Sequence, residues 1–512
     1  MGEIISGERR IATDALVERA ARAASGLAAL GVGRGDTVAL YLRNDLPFFE
    51  ASYAAGLIGA YPTPVNWHYT EDEARYLFEN SGARAIVIHA DLIEPIRAAI
   101  PAGVPVLVVA TPAEIGEAYG IPPERRQIPA GMTDWSRWLE GFEPLAGDAS
   151  AAPGTIIYTS GTTGRPKGVR RHPPTAEQLA ASGKILARGF GFSGGDPAAI
   201  VTVVTGPMYH SAPNAYGLAS GRIGASVILQ ARFDAEELLR LIETHRVTHL
   251  HIVPIMFNRL IKLPAEVKEK YDLSSLKFVV HAAAPCPPPT KRAMIEWWGP
   301  VIHEYYGATE TGIIVECDSE EWLAHPGTVG KTIPEADVRV IGADGEALPP
   351  REIGEVVGRI RDIADFTYHG DDAKRRDSEK AGLIAPGDIG YFDEDGFLYL
   401  CDRAKDMIIS GGVNIYPAEI EAELMKMPGV ADCGVFGIPD EEFGEAVCAA
   451  VQPAPDVELG EAEVRAFLRG CVAGYKIPRR VDFHAQLPRE DSGKIFKRKL
   501  REPFWEALGR RI

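Results

Sequence analysis

The chain has 512 residues, more than one hydrophobic core ordinarily serves, so at least two domains are expected. Hydrophobic residues make up 46% of it, enough for sizeable cores, and the net charge of -17 argues against nucleic acid or an anionic membrane surface as the main partner. Anionic ligands must therefore bind at local clusters of donors. The six cysteines (Cys286, Cys317, Cys401, Cys433, Cys448, Cys471) include no Cys-x-x-Cys pair and no zinc-finger spacing, which predicts free, mostly packed thiols in a reducing cytosol. The amino terminus lacks a signal-peptide pattern, and no stretch is long and apolar enough to span a bilayer, so a cytoplasmic protein is expected.

In chain order, residues 12–30 carry apolar positions at helical spacing, with Leu16, Ala20, Ala23 and Leu27 on one face. Glycines at 31–35 end that helix. Strands are expected over 36–42, 85–89 and 104–110, and a second helix over 47–59. This alternation predicts a parallel or mixed sheet covered by helices. Residues 112–153, rich in Pro, Gly and charge, read as an irregular connection. Thr155-Ile-Ile157 then reads as a buried strand. It runs into Tyr158-Thr-Ser-Gly-Thr-Thr-Gly-Arg-Pro-Lys-Gly-Val169. Glycines there let backbone approach a ligand, and successive N–H groups can form an anion nest. Hydroxyls and Lys167 add donors and charge, so a polyphosphate fits. The spacing is not the Walker pattern. Taken alone, such a turn also resembles a flexible surface loop.

Further strands are expected over 200–205, 226–230, 248–253, 276–280 and 301–305. Asp234 should cap a helix, with Glu237 reaching back as a capping-box acid. Chemistry-bearing residues follow most of these strands, where open α/β sheets bind ligands. From Val338 the texture shifts to short strands and turns, such as Asp393-Glu-Asp-Gly396. Beyond Asp402-Arg-Ala-Lys-Asp406 lie about a hundred residues, enough for a small domain. Helices over 417–427 and 461–472 and strands over 431–437 and 447–452 give it an α+β texture.

Several separated segments carry chemistry. His210 and a run of small residues (Ser211, Ala212, Ala215, Gly217, Ala219, Gly221) follow the strand at 200–205; a core histidine is the plainer reading of His210. His281-Ala-Ala-Ala-Pro285 is a small-residue run after a strand. Tyr305-Tyr-Gly-Ala-Thr-Glu310 reads by itself as a helix start capped by Thr309. Gly387-Asp-Ile-Gly390 reads equally as a turn. Leu487-Pro-Arg-Glu-Asp-Ser-Gly-Lys-Ile-Phe-Lys-Arg-Lys499 and Lys476 make a basic patch, which usually means a solvated tail.

In this order the segments resemble the adenylate-forming superfamily of acyl-CoA synthetases, peptide-synthetase adenylation domains and luciferases, and most resemble an AMP-forming acyl-CoA synthetase. The resemblance spans nearly the whole chain. It implies an α/β fold: a large N-terminal domain, residues 1–403, with mixed sheets covered by helices plus a short β-rich subdomain, and a small mobile α+β C-terminal domain, residues 404–512. It implies ATP, Mg²⁺ and coenzyme A as cofactor and co-substrates. A carboxylic acid would be turned into an acyl-adenylate and passed to the CoA thiol, giving acyl-CoA, AMP and pyrophosphate. The acid would be fatty, aryl or a bulky alicyclic one. Amino-acid activation or other acid adenylation for a carrier protein and a nucleotide-binding regulator without turnover are the alternatives; the oligomeric state is not readable from the sequence, and a homodimer is only a guess.

By the same resemblance, Thr159, Ser160, Gly161, Thr162, Thr163, Gly164 and Lys167 hold the ATP phosphates. Ala282, Ala283 and Ala284 wall the adenine, where relatives usually carry glycine. Glu304, Tyr305, Tyr306 and Gly307 belong to the nucleotide site, with Tyr306 against the base. Thr309 bonds the α-phosphate, and Glu310 holds Mg²⁺, which prefers carboxylate plus phosphate oxygens. Asp388 takes the ribose hydroxyls with Arg403 beside it, although Pro386 replaces the usual hydroxyl residue. Lys405, otherwise a surface lysine, is the hinge. Gly411 and Gly412 line the pantetheine tunnel, Lys494 is the catalytic lysine, and His210 gates the acyl site. Met256 and Phe257 line that site or belong to the core.

Overall fold

The computed structural model describes residues 2–146, 153–159, 166–403, 406–411, 413–489 and 495–506. The helix Thr13–Ala29 buries Leu16, Ala20, Ala23 and Leu27, the face its spacing predicts. It packs beside a five-stranded sheet in the order Tyr61–Pro64, Thr37–Tyr41, Ala83–His89, Val106–Val109, Thr133–Asp134. All its pairings are parallel. Within 112–153, the described residues 112–146 are more ordered than the composition suggests. They hold the helices Ala113–Tyr119 and Trp135–Glu140, the first ended by left-handed Gly120 and the second capped by Asp134. Each is too short to show a period; burial of Ile115, Trp135 and Leu139 makes them worth forming.

The glycine-rich segment between Thr159 and Lys167 is flanked by two strands, β1 (Ile157–Thr159) and β2 (Lys167–Arg171), paired antiparallel as the arms of a hairpin. The strand begins at Ile157, not at Thr155. The helix Ala176–Gly189, unmarked by the expected elements, starts on a Thr175–Gln178 capping box. Asp234 caps the helix Ala235–His245 as expected, but Glu237 does not reach back. Its carboxylate instead takes the Arg240 guanidinium one turn on, at 2.6 Å.

A fourteen-stranded sheet forms the body of the molecule. Val201–Val204, Ser226–Leu229 and His249–Ile252 run parallel, with helix α1 (Ser211–Arg222) crossing over from the first to the second. They continue through β3 (Phe278–His281) to β4 (Ile302–Ala308), also in parallel. There the sense changes: β4 turns back as β5 (Gly312–Cys317), antiparallel. Tyr305 to Ala308 therefore lie in a strand, and Thr309–Thr311 form a tight turn; the helix start does not occur. A short strand, β6 (Phe366–Tyr368), leaves this sheet and pairs with β2 instead, giving a three-stranded sheet. The β-rich part, including β7 (Leu383–Phe392) and β8 (Phe397–Arg403), is hydrogen-bonded into the large sheet. Asp388 lies within β7, opposite Arg403 of β8, so it is a strand residue and not a turn residue.

Strands Ile408–Ser410, Val413–Ile415, Val430–Asp440, Gly444–Pro453 and Arg480–Phe483 form a separate five-stranded sheet. It carries helix α2 (Pro417–Leu424) and the helix Glu461–Arg469 around its own core of Ile420, Leu424, Val435, Ala449, Val464 and Leu468. No described helix is long and apolar enough to cross a membrane.

Candidate functional site

The hairpin β1–β2 presents Thr159 opposite Lys167, the two described ends of the glycine-rich turn. Ser160, Gly161, Thr162, Thr163 and Gly164 lie outside the described residues. Gly168 is required at the hairpin's root, because a Cβ there would sit 2.9 Å from the Tyr158 ring. The Lys167 ammonium lies 5.4 Å from the centre of the Tyr368 ring. Burial, with Lys374 beside it, brings its pKa down to about 8.

Two side chains, one on β2 and one on its neighbour β6, tie the hairpin to the β4–β5 turn, and a third closes the turn itself. The Tyr368 hydroxyl donates to Glu310 Oε1 at 3.1 Å. Arg171, at the end of β2, donates to the backbone oxygens of Thr309 (3.0 Å) and Glu310 (2.9 Å). The Thr311 hydroxyl accepts the Ala308 N–H at 2.9 Å and closes the turn. Gly307 has to be glycine: a Cβ would lie 1.9 Å from the Gly312 oxygen. Thr309 and Glu310 are thus held beside this hairpin, although 138 and 139 residues separate them from Arg171 in sequence.

The residues expected at the base and the ribose form a second cluster. Tyr306 and Asp388 are both buried; the Tyr306 hydroxyl donates to Asp388 Oδ2 at 2.7 Å, and Arg403 Nε meets Oδ1 at 2.8 Å. Tyr305 points the other way and shares a hydrogen bond with His251 at 2.9 Å. Glu304 is paired with buried Lys291 under the end of β3, with His281 Nε2 at 3.4 Å; burial raises its carboxyl pKa while Lys291 opposes that. In the alanine run, Ala282 is buried and Ala283 is exposed in the left-handed region at φ 73°. Ala283 is therefore the position at which a glycine would relieve strain, of about 1 kcal/mol.

His210 is half-buried just ahead of α1, its ring 4.3 Å from that of Tyr209. Ser211, Ala212, Ala215 and Ala219 are partly exposed along α1. Gly217 and Gly221 are not part of that opening. A Cβ at Gly221 would meet the Tyr53 hydroxyl at 2.5 Å, and one at Gly217 would meet Met208 at 3.0 Å, so these glycines serve close packing. Met256 and Phe257 are enclosed in the core.

Asp402 accepts the Ala418 N–H at the start of α2 at 2.8 Å. Lys405 and Gly412 lie outside the described residues. Gly411 is left-handed at φ 57°, and its N–H donates to the Phe443 oxygen at 2.8 Å. Lys494 also lies outside them. The patch around it is not a run of unpaired cations: Lys476 meets Glu419 at 2.6 Å and Lys497 meets Glu421 at 2.8 Å. These partners stand on α2, distant in sequence, so composition alone suggests a solvated tail. Arg171 and Tyr368 were not among the sequence-derived site residues. For Arg171 a signal exists, a charged residue closing a β-run in Val169-Arg-Arg-His172; for Tyr368 there is none.

Residues 3–364 match the AMP-binding enzyme family, and residues 419–494 match the AMP-binding enzyme C-terminal domain. A feruloyl-CoA synthase of Amycolatopsis sp. is 34% identical over 495 residues, covering 96% of this chain and 93% of the relative. The long-chain-fatty-acid–CoA ligase FadD13 of Mycobacterium tuberculosis is 32% identical, covering 94% and 91%. The o-succinylbenzoate CoA synthetase MenE of Bacillus subtilis, solved with its acyl-adenylate intermediate, superposes with a TM-score of 0.78 at 26% identity, covering 97% of this chain and 94% of that one.

Proposed function

For a chain that belongs to the AMP-binding enzyme family, we propose a reaction in two halves at one site. The enzyme is an AMP-forming acyl-CoA ligase: it activates a carboxylic acid with ATP and transfers the acyl group to the thiol of CoA. In the first half the carboxylate attacks the α-phosphorus, a P–O bond to pyrophosphate breaks, and the acyl-adenylate forms. In the second the thiol sulfur attacks the acyl carbon, loses its proton, and AMP leaves.

All the reacting groups of the first half are anionic, so the protein's work is positioning and charge stabilisation. Lys167 and the turn beyond Thr159 hold the phosphates. Thr309 addresses the α-phosphate, Tyr306 the base, and Asp388 with Arg403 the ribose. Glu310 suits Mg²⁺: one carboxylate oxygen accepts from Tyr368, and the other makes no hydrogen bond among the described residues. Mg²⁺ held there would neutralise charge on the phosphate oxygens. Lys494 bridges the substrate carboxylate and the α-phosphate. Residues 404–512 turn as a unit about Lys405, bringing Lys494 for the first half and the Gly411–Gly412 segment for the second. The open face of α1 receives the acid, fatty, aryl or bulky alicyclic, with His210 at its mouth. Six unpaired cysteines suit a cytoplasmic setting.

What supports this reading best is the meeting of the phosphate hairpin with the Thr309–Glu310 turn through Arg171 and Tyr368. It is tested by ATP–pyrophosphate exchange over a panel of acids, followed by AMP release on adding CoA. Exchange with at least one acid, and CoA-dependent AMP release with the same acid, are expected. ATP binding with neither would point to a regulator without turnover.

Lys167 gives a pH prediction. Its ammonium is the phosphate-binding form and is lost as pH rises through about 8. The KM for ATP should therefore climb above pH 8, while kcat holds at saturating ATP, because bound phosphate pulls the pKa back up. Lys167→Arg should move the rise beyond the accessible range; an unchanged profile in that variant would assign it to another group.

A further inference from the structure

The two carbonyls that Arg171 binds carry a consequence on their far side. No described peptide is cis, and in a trans peptide the C=O and N–H point in opposite directions. With the Thr309 and Glu310 oxygens turned toward the guanidinium, at 3.0 and 2.9 Å, the N–H groups of Glu310 and Thr311 face away from it together. Neither N–H makes a hydrogen bond among the described residues, whereas the Ala308 N–H just before them is bonded to Thr311. Two successive, unspent amide donors facing one way form an anion nest.

Arg171 is built for this work. Its third bond goes to the Ala364 oxygen at 3.1 Å, so it spends its donors on backbone and makes no ion pair among the described residues. Arginine forks normally take carboxylates. Taking a cation out of water without a paired carboxylate is costly, and burial lowers the pKa of Arg171 although Glu310 and Asp365 lie near enough to oppose the shift. A narrow cleft of about 10 Å³, lined by Arg171, Glu310, Thr311 and Asp365 among others, lies against it. The neighbouring Arg170 has an ordinary structural role, stacked on Tyr61 and bonded to the Gly35 oxygen.

We infer that Arg171 is a positioning residue that turns the Glu310 and Thr311 amides into a paired donor site for a phosphoryl oxygen at the reacting phosphorus, with its own positive charge behind them. This rests on the adenylate-forming reading, which puts the α-phosphate at Thr309. Such a site acts most strongly as charge gathers on the equatorial oxygens, so it contributes to kcat more than to ATP binding.

Arg171→Met, Arg171→Gln and Arg171→Lys test it. Pyrophosphate exchange, ATP binding without acid, and thioester formation from supplied acyl-adenylate are measured for each, with thermal unfolding as a check on folding. Arg171→Met is expected to lower the kcat of exchange about 100-fold, in the range for losing an aimed donor. ATP affinity should change less than about threefold, and the thioester step should be spared. Arg171→Lys, which keeps the charge and some carbonyl contact, should restore exchange to within about tenfold of wild type. The contrast among these readouts is what a purely structural role would not produce. Equal loss in both half-reactions, loss of ATP binding in proportion, or no rescue by lysine would overturn the proposal. If the methionine variant does not fold, the glutamine variant decides by the same comparison. Failure of the underlying reading looks different: the wild-type protein would exchange pyrophosphate with no acid, and both readings would fall.

Discussion

Lys494→Ala is expected to lower ATP–pyrophosphate exchange by about 100- to 1,000-fold, or about 3–4 kcal/mol of transition-state stabilisation. The carboxylate nucleophile and the α-phosphate repel each other, and an ammonium placed between them relieves that repulsion only where they meet. The loss should fall on kcat more than on ATP binding, because the other phosphate contacts remain. Supplied acyl-adenylate already contains the bond that Lys494 is proposed to help form. Thioester synthesis from it should therefore stay within about twofold of wild type, on the proposal that the second half uses the Gly411–Gly412 side of residues 404–512. The check is to run both half-reactions on the same preparation. If both declined together, the assignment of Lys494 to one half alone would fail, and with it the case for two poses of the C-terminal part.

The second large effect is expected at Glu310. Glu310→Gln keeps the size of the side chain and an oxygen to accept from Tyr368, and it removes only the negative charge. Adenylation should drop about 100-fold or more at ordinary Mg²⁺, with part of the loss recovered as Mg²⁺ is raised, because a weaker site fills at higher concentration. Thioester formation from the adenylate should be indifferent to the change. Calorimetric titration of Mg²⁺ into the ATP-bound variant gives a readout independent of turnover, and there the Mg²⁺ affinity should fall about 10-fold or more. Unaltered Mg²⁺ affinity would remove Glu310 from the metal site.

The helix at Thr13–Ala29 and the strands at Thr37–Tyr41 and Ala83–His89 could be read from period and turn residues, because burial imposes one repeat on neighbouring positions. The short helices at Ala113–Tyr119 and Trp135–Glu140 could not, since six or seven residues do not establish a period and their stability comes from what they pack against. Glu237 shows the same limit at the scale of one side chain. The local pattern allowed a capping box, and Arg240 one turn away offered the stronger partner. At Gly217 and Gly221, small side chains suggested room for a substrate, yet it is Met208 and Tyr53 that occupy the space.

Without any coordinates, the resemblance carried by the order of the motifs implied the family, the two-part α/β architecture and the reaction class, while turn chemistry and hydrophobic period, being properties of adjacent residues, marked the longer elements. Folding alone decided which groups touch: Arg171 on the Thr309 and Glu310 carbonyls, Tyr368 on the Glu310 carboxylate, Tyr306 and Arg403 on Asp388. Those pairs lie up to 139 positions apart along the chain. A hydrogen bond is a distance in space, and nothing in the local sequence of either partner records that the other has arrived.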